Sequence, residues 1–98
     1  MPTHEEDDSF WRDWRRLKRE ERLAFRKAAA ALNDDLAAGS SIRPSLRAHP
    51  MVAHPGIWEL TWEGEDGRAT FRFGPEQISG RRHVVWRRVG GHEIFQAP

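Results

Sequence analysis

The sequence predicts an α+β fold in which an N-terminal two-helix hairpin packs on one face of a three- to four-stranded antiparallel sheet. Apolar residues recur at helical spacing as far as Leu36 and with a period of two from Trp58 onward. Glycine and proline residues separate these segments. With 98 residues the chain can bury one modest core, and we expect a single domain over residues 1–98.

Two amphipathic helices account for the helical spacing. The first, of roughly ten residues, can be capped by Asp8 or Ser9. Its apolar positions are Phe10, Trp14 and Leu17. The second ends at Gly39, which can adopt the left-handed conformation of a helix stop. Its apolar positions are Leu23, Phe25, Ala28, Ala29, Leu32 and Leu36. The short connection between the two predicts an antiparallel hairpin.

The segments flanking the helices have no regular pattern. Residues 1–8 are acidic, and we expect a frayed lead or a very short strand there. Prolines keep residues 40–55 out of a helix, with Leu46 as the main apolar anchor and room for one short strand. His49 and His54 lack the spacing of metal ligands, so we interpret them as loop histidines and expect no metal.

Strands of alternating polarity follow. The apolar positions of the first two are Trp58, Leu60, Trp62, Ala69, Phe71 and Phe73. The helices should cover this aromatic face, which leaves the other sheet face open. The turn from Glu63 through Gly64, Glu65 and Asp66 to Gly67 joins these strands, since an Asp-Gly pair tolerates positive φ. A second turn is bracketed by Gly74-Pro75 and Ser79-Gly80.

The last strand and the residues after it are the most unusual stretch. The strand, His83 to Val89, mixes apolar and basic residues on both faces, so the pattern leaves open whether Arg87 or Arg88 points outward. A glycine pair, Gly90-Gly91, then precedes His92 and Phe95.

The charge is distributed unevenly. Four of the fifteen acidic residues lie in the first eight positions, which leaves sixteen basic residues against eleven acidic ones from Ser9 onward, a net charge of +5. Fourteen of those cations are arginines, whose planar, permanently charged groups suit phosphate. A polyanionic partner and an ordinary solvated basic surface both remain compatible with this composition.

The composition also excludes several classes of protein. With no cysteine, the chain cannot be a disulfide scaffold or a cysteine-ligated zinc module. The first residues lack the pattern of a signal peptide, and no segment is long and apolar enough to span a bilayer. We therefore expect a cytoplasmic protein that binds no membrane and no small-molecule cofactor.

The order of these elements and the terminal motif resemble the RelE/ParE superfamily of bacterial type II toxins. The resemblance covers most of residues 9–96 and rests on three quoted stretches: Gly56-Ile57-Trp58-Glu59-Leu60-Thr61-Trp62, Asp66-Gly67-Arg68-Ala69-Thr70-Phe71-Arg72-Phe73, and Val84-Val85-Trp86-Arg87-Arg88-Val89-Gly90-Gly91-His92-Glu93-Ile94-Phe95. It implies a single RelE-like toxin domain with a cognate antitoxin as its partner. In the RelE-like branch it implies an enzyme that cleaves mRNA in the ribosomal A site.

The resemblance also implies roles for individual residues. Arg68 falls where the family keeps a catalytic arginine, His92 and Phe95 match a terminal His-x-x-aromatic pattern, and Glu59 occupies a variable polar position. Many relatives have tyrosine in place of Phe95, whereas this chain contains no tyrosine. The family's first strand is hard to recognise before Ser9.

RNA cleavage without a metal requires a base, an acid and a cation beside the phosphate. Our hypothesis makes His92 the general acid or base, Arg68 the phosphate clamp and Glu59 the complementary base or an orienter of the cations. Phe95 would stack on a nucleobase. The cations expected to contact the RNA backbone are Arg72, Arg81, Arg82, Arg87 and Arg88.

Simpler interpretations remain for each residue. His92 could cap the strand end, and Arg68 could pair with Glu59 or Glu63 across strands. Two other functions are compatible with the fold: a ParE-like inhibitor of DNA gyrase, or a non-catalytic family member that only binds an antitoxin-like partner. An apolar groove beside Phe10, Trp11 and Trp14 would suit an antitoxin helix.

Overall fold

The computed structural model describes residues 2–63 and 66–98, without the side chain of Glu63. The helices are α1 (Asp8–Arg16) and α2 (Arg19–Ala37). The strands are β1 (Thr3–Glu6), β2 (His49–Pro50), β3 (Trp58–Glu63), β4 (Gly67–Ile78) and β5 (Arg81–Gly90). Short 3₁₀ helices span Pro44–Leu46 and His92–Gln96, and we call the second one the tail helix.

The strands form one mixed sheet in the order β1-β5-β4-β3-β2. The predicted antiparallel meander is confirmed for β3, β4 and β5. Of the two alternatives for residues 1–8, the very short strand is confirmed: it has four residues and runs parallel to β5, so the sheet is not purely antiparallel. Acidic side chains are tolerated in β1 because it is an edge strand. The ring of His83 in β5 is bonded to the Thr3 hydroxyl (2.7 Å) and the Glu5 carboxylate (2.8 Å).

Both helices cover the aromatic face of the sheet, as expected. α1 packs against β5, and α2 packs against β3 and β5. The Phe25 ring lies 4.9 Å from that of Trp86, which lies 5.3 Å from Phe71. Leu46 is buried beside them, which confirms its role as an anchor. Leu23 is wrong as a core position, since 56% of it is exposed.

The predicted end of α2 is confirmed, whereas the predicted cap of α1 is not. Gly39, which follows the C-cap residue Ala38 of α2, has a φ of +67° and provides the predicted stop. The cap of α1 is Asp7 rather than Asp8 or Ser9. The Ser9 hydroxyl instead donates to the carbonyl oxygen of Arg87 at 2.7 Å.

The turns differ in detail from the prediction. Gly64 and Glu65 lie outside the described residues, and Gly67 does not have a positive φ. The second turn is only Ser79-Gly80, with a φ of +81° at Gly80. Gly74-Pro75 lies inside β4, where the pairing with β5 becomes irregular.

A bulge in β5 explains why the two faces of this strand could not be separated by pattern. Thr70 pairs with Arg88 and Phe71 with Trp86, so Arg87 is an extra residue. Val84, Trp86 and Val89 therefore all join the core beneath the helices.

The sheet face opposite the helices is not open over its whole length. Thr70 and Val85 are fully buried there. The carbonyl oxygen of Pro98 accepts hydrogen bonds from Arg87 Nε (2.9 Å) and Thr70 Oγ1 (3.4 Å). The segment His92–Pro98, which we call the tail, thus folds back onto the sheet.

Candidate active site

The tail folds back closely on the glycine pair Gly90-Gly91, which forms the end of β5 and the residue after it. A Cβ on Gly90 would stand 3.0 Å from Ile94 Cγ2, and a Cβ on Gly91 would stand 2.6 Å from a Glu93 carboxylate oxygen. Ile94 is 1% exposed and anchors the tail helix in the interior. The Gly91 N–H also donates to the Glu93 carboxylate at 3.1 Å. Close approach to the buried Ile94, rather than a positive φ, explains Gly90, whereas a Cβ on Gly91 would meet only the movable end of the exposed Glu93 side chain at less than 3 Å.

This anchoring presents His92 and Phe95 on one short helix. His92 is its first residue and is exposed, whereas Phe95 is half-buried. Their ring centroids lie 5.8 Å apart at 87°, an edge-to-face contact. No hydrogen bond from the described residues holds the His92 ring, so its nitrogens stay available to a ligand.

Arg68 lies at the same end of the sheet as His92. Its main chain pairs with Gly90 in β5 and with Thr61 in β3. Its side chain lies on the sheet face opposite the helices. Its guanidinium donates to the neighbouring Gly67 carbonyl at 3.1 Å. The Trp62 indole N–H donates to the Arg68 carbonyl at 2.7 Å, which fixes the backbone. The register therefore brings Arg68 beside the start of the segment that carries His92, without a direct bond between the two side chains.

Glu59 lies on the same face as Arg68, in the next row of the sheet. It pairs with Thr70 in β4 and with His49 in β2. The Glu59 carboxylate lies 3.1 Å from His49 Nε2. The interpretation of His49 as a loop residue is wrong, and sequence reasoning missed this pair because a two-residue strand has too little pattern to reveal its partner.

The other predicted cations are divided among three places. Arg72 shares the face of Arg68 and is half-buried opposite Val85. Arg81 and Arg82 are exposed at the other end of β5, about 30 Å away along the strand. The Arg82 guanidinium lies 3.8 Å above the Phe73 ring, on the helix side of the sheet.

Arg87 and Arg88 are engaged within the protein. Arg87 Nε donates to the Pro98 carbonyl. Arg88 donates from Nε and Nη2 to the Asp13 carboxylate at 2.6 and 3.1 Å, and from Nη1 to the Ala97 carbonyl at 2.9 Å. The hydrogen bond to Asp13 raises the pKa of Arg88 above its ordinary value. Sequence reasoning missed Asp13, whose partner is 75 positions away.

Two cavities flank these elements. One, of about 220 Å³, lies beside the glycine pair and is lined by more carboxylates than cations, among them Asp13, Asp66 and Glu93, so it does not suit a phosphate. The other, of about 210 Å³, is an apolar groove where the sequence predicted one. Its aromatic lining is Phe10, Trp11, Trp14, Phe25 and Trp86, and Trp11 is 43% exposed.

Comparison with known proteins identifies the fold. No protein-family model matches the sequence, and no curated protein matches it. A histidine-to-glutamine variant of YafQ from E. coli is 12% identical, with a TM-score of 0.65 over 97% of this chain and 98% of that one. YafQ in the E. coli DinJ-YafQ toxin-antitoxin complex is 11% identical, with a TM-score of 0.57 over 94% and 93% of the two chains. The chain therefore has the α+β fold of YafQ, a type II toxin of the RelE family.

Neither helix of the described ranges is long and apolar enough to cross a membrane.

Proposed function

We propose that the chain is the toxin of a type II toxin–antitoxin pair and a metal-independent endoribonuclease that cleaves mRNA on the ribosome. The observation that carries the proposal is the placement of His92 and Arg68 at one end of the sheet, joined through the pairing of Arg68 with Gly90. The shared fold with YafQ supports the toxin class.

In the proposed reaction, the ribose 2′-oxygen attacks the adjacent phosphorus and the bond to the 5′-oxygen breaks. The products are a 2′,3′-cyclic phosphate and a 5′-hydroxyl. The Arg68 guanidinium neutralises the charge that develops on the phosphate. His92 protonates the leaving 5′-oxygen, since no phenol exists in the chain to do so.

Glu59 supplies the complementary base in this scheme. Its carboxylate can accept the 2′-hydroxyl proton, and His49, at 3.1 Å, orients it. Phe95 stacks on a nucleobase beside His92, a contact that does not need a phenolic hydroxyl. Arg72 extends the basic surface along the same face and contacts the RNA backbone.

We further propose that a cognate antitoxin neutralises the toxin, as in the DinJ-YafQ toxin-antitoxin complex. The apolar groove between α1 and α2 supports this proposal. An amphipathic antitoxin helix could bury the exposed Trp11 ring there.

The test is induced expression in bacteria with metabolic labelling of proteins. Wild type should halt protein synthesis and leave mRNA fragments, and His92→Ala and Arg68→Ala should each relieve both effects. Arg19→Ala, which removes an exposed arginine at the start of α2, is the matched control and should remain toxic. DNA damage with intact mRNA would indicate a gyrase inhibitor instead, and unhindered growth would indicate a non-catalytic protein.

A further inference from the structure

A buried carboxylate on α1 is bound to the strand that leads into the tail. Asp13 is 6% exposed, and its carboxylate accepts two hydrogen bonds from Arg88 and a third from the Val89 N–H at 3.1 Å. β1 ends at Glu6, so it leaves the outer edge of β5 beyond Trp86 without a partner strand. Asp13 therefore satisfies an edge N–H that no strand reaches.

Arg88 connects Asp13 to the tail through hydrogen bonds. Its Nη1 donates to the carbonyl oxygen of Ala97 at 2.9 Å, one residue beyond the tail helix. The Ala97 N–H in turn donates to the Ile94 carbonyl at 3.2 Å. A continuous path of hydrogen bonds thus joins α1 to the helix that presents His92.

The path depends on the charge of Asp13. A long arginine side chain has many rotamers, and a planar guanidinium is fixed best when a carboxylate accepts from two of its nitrogens. With Asp13 in place, the third nitrogen of Arg88 points at Ala97. Without the carboxylate, nothing else in the described ranges bonds Nε or Nη2 of Arg88.

We propose that Asp13 is a positioning residue: it orients Arg88, which holds the tail so that His92 stays at the end of the sheet where Arg68 lies. This inference rests on the function proposed above. It gives Asp13 and Arg88 a role in cleavage that acts through the position of the tail.

A second pair in the same protein provides a matched control. The Asp35 carboxylate on α2 accepts from Nε, Nη2 and the backbone N–H of Arg43, each at 2.9 Å. As at Asp13, the carboxylate accepts two hydrogen bonds from a guanidinium and one from a backbone N–H. This pair, however, binds the loop after α2 and not the tail.

The experiment compares Asp13→Asn with Asp35→Asn by single-turnover cleavage of an RNA oligonucleotide on programmed ribosomes. We expect Asp13→Asn to lower the rate constant about tenfold to a hundredfold, with the amplitude and the affinity for the substrate unchanged. Asp35→Asn should match wild type. With folded enzyme in saturating excess over the substrate, the rate constant does not depend on how much of the protein is folded, so an unchanged rate constant for Asp13→Asn overturns the inference.

Amide hydrogen exchange gives a readout that does not require cleavage. In Asp13→Asn, exchange at the Ile94 and Ala97 N–H groups should rise at least tenfold while core strand amides keep their protection. Unchanged exchange at those two groups refutes the positioning role. If wild type cleaves no RNA, the proposed function fails, but the exchange result still decides whether Asp13 holds the tail.

If Asp13→Asn does not fold, Arg88→Lys is the alternative variant. It keeps the positive charge opposite Asp13 and removes the planar guanidinium. A lysine cannot bond Asp13 twice and Ala97 at once in the same geometry. It should show the same fall in rate constant and the same loosening of the tail. A folded Arg88→Lys protein with the cleavage rate and tail exchange of wild type contradicts the inference.

Discussion

The two faces of the sheet are stabilised in different ways. The face beneath the helices buries a continuous cluster of aromatic and aliphatic side chains. The opposite face carries His49, Glu59, Arg68 and Arg72, and the tail is held over it by hydrogen bonds to Arg87 and Arg88 and by the burial of Ile94 and Pro98. The difference indicates that stability depends mainly on one face and chemistry on the other, so substitutions should separate the two properties.

The largest expected effect is on stability, at the centre of the helix-covered face. Phe71 is fully buried against Trp86, at 5.3 Å, and Phe73, at 5.5 Å. Phe71→Ala should reduce the free energy of unfolding by about 3–5 kcal/mol, measured by urea denaturation. A loss below about 1 kcal/mol would mean that this face does not dominate stability.

His92 should show the opposite pattern, with a small change in stability and a large change in the rate of RNA cleavage. Because the ring is exposed, His92→Gln should change the free energy of unfolding by less than about 0.5 kcal/mol. It should slow RNA cleavage roughly a hundredfold or more by removing the proton donor. His54→Gln, a histidine in the loop after β2, is the matched control and should cleave like wild type. Equal rates for both variants would remove His92 from the mechanism.

Gly90 should affect both stability and RNA cleavage. A Cβ at this position would press on Ile94 Cγ2 at 3.0 Å, so Gly90→Ala should cost about 1–3 kcal/mol of unfolding free energy and also displace the tail. Gly80→Ala has open space around its Cβ but a φ of +81°, so it tests backbone strain far from the tail. Only Gly90→Ala should slow cleavage per folded molecule, and equal cleavage rates for the two variants would show that tail placement does not matter.

The smallest expected effect concerns acid stability at Asp35. The Arg43 side chain and backbone N–H hold the pKa of the Asp35 carboxyl below its ordinary value in the folded state. Because this pKa is depressed, the pair stabilises the fold at pH values above the ordinary aspartate pKa. The contribution is lost as the pH falls through the pKa that Asp35 has in the folded state. Asp35→Asn should therefore flatten the fall in stability in acid slightly, as measured by thermal unfolding from pH 2 to 6. An unchanged acid profile would show that the exposed pair contributes nothing measurable.

Sequence reasoning succeeded where the pattern is local. Period-two alternation identified Leu60 and Phe71 as core, and Gly39 identified the end of α2, because each signal lies within a few residues. It failed where contacts are distant in sequence. β1 is polar because its pairing uses the main chain, and the bond from Arg88 to Asp13 spans 75 positions.

The candidate site was predictable only as a set of residue types. The sequence pointed to His92, Arg68 and Glu59, and the strand register places Arg68 and Glu59 on one face and pairs Arg68 with Gly90, two residues before His92. The bulge at Arg87 could not be read from alternation, since an extra residue reverses the faces beyond it. The roles of these three residues in cleavage stay predictions.

The most direct test of the proposed reaction is end-group analysis of RNA incubated with the purified protein and programmed ribosomes in buffer whose Mg²⁺ is varied. Wild type should yield 5′ fragments with a 2′,3′-cyclic phosphate and 3′ fragments with a 5′-hydroxyl at every Mg²⁺ concentration that keeps ribosomes intact. In the time that wild type needs for full cleavage, His92→Gln should yield roughly a hundredfold less of both products, or none. Fragments that end in a 5′-phosphate, or full cleavage by His92→Gln, would contradict an attack by the 2′-hydroxyl assisted by His92.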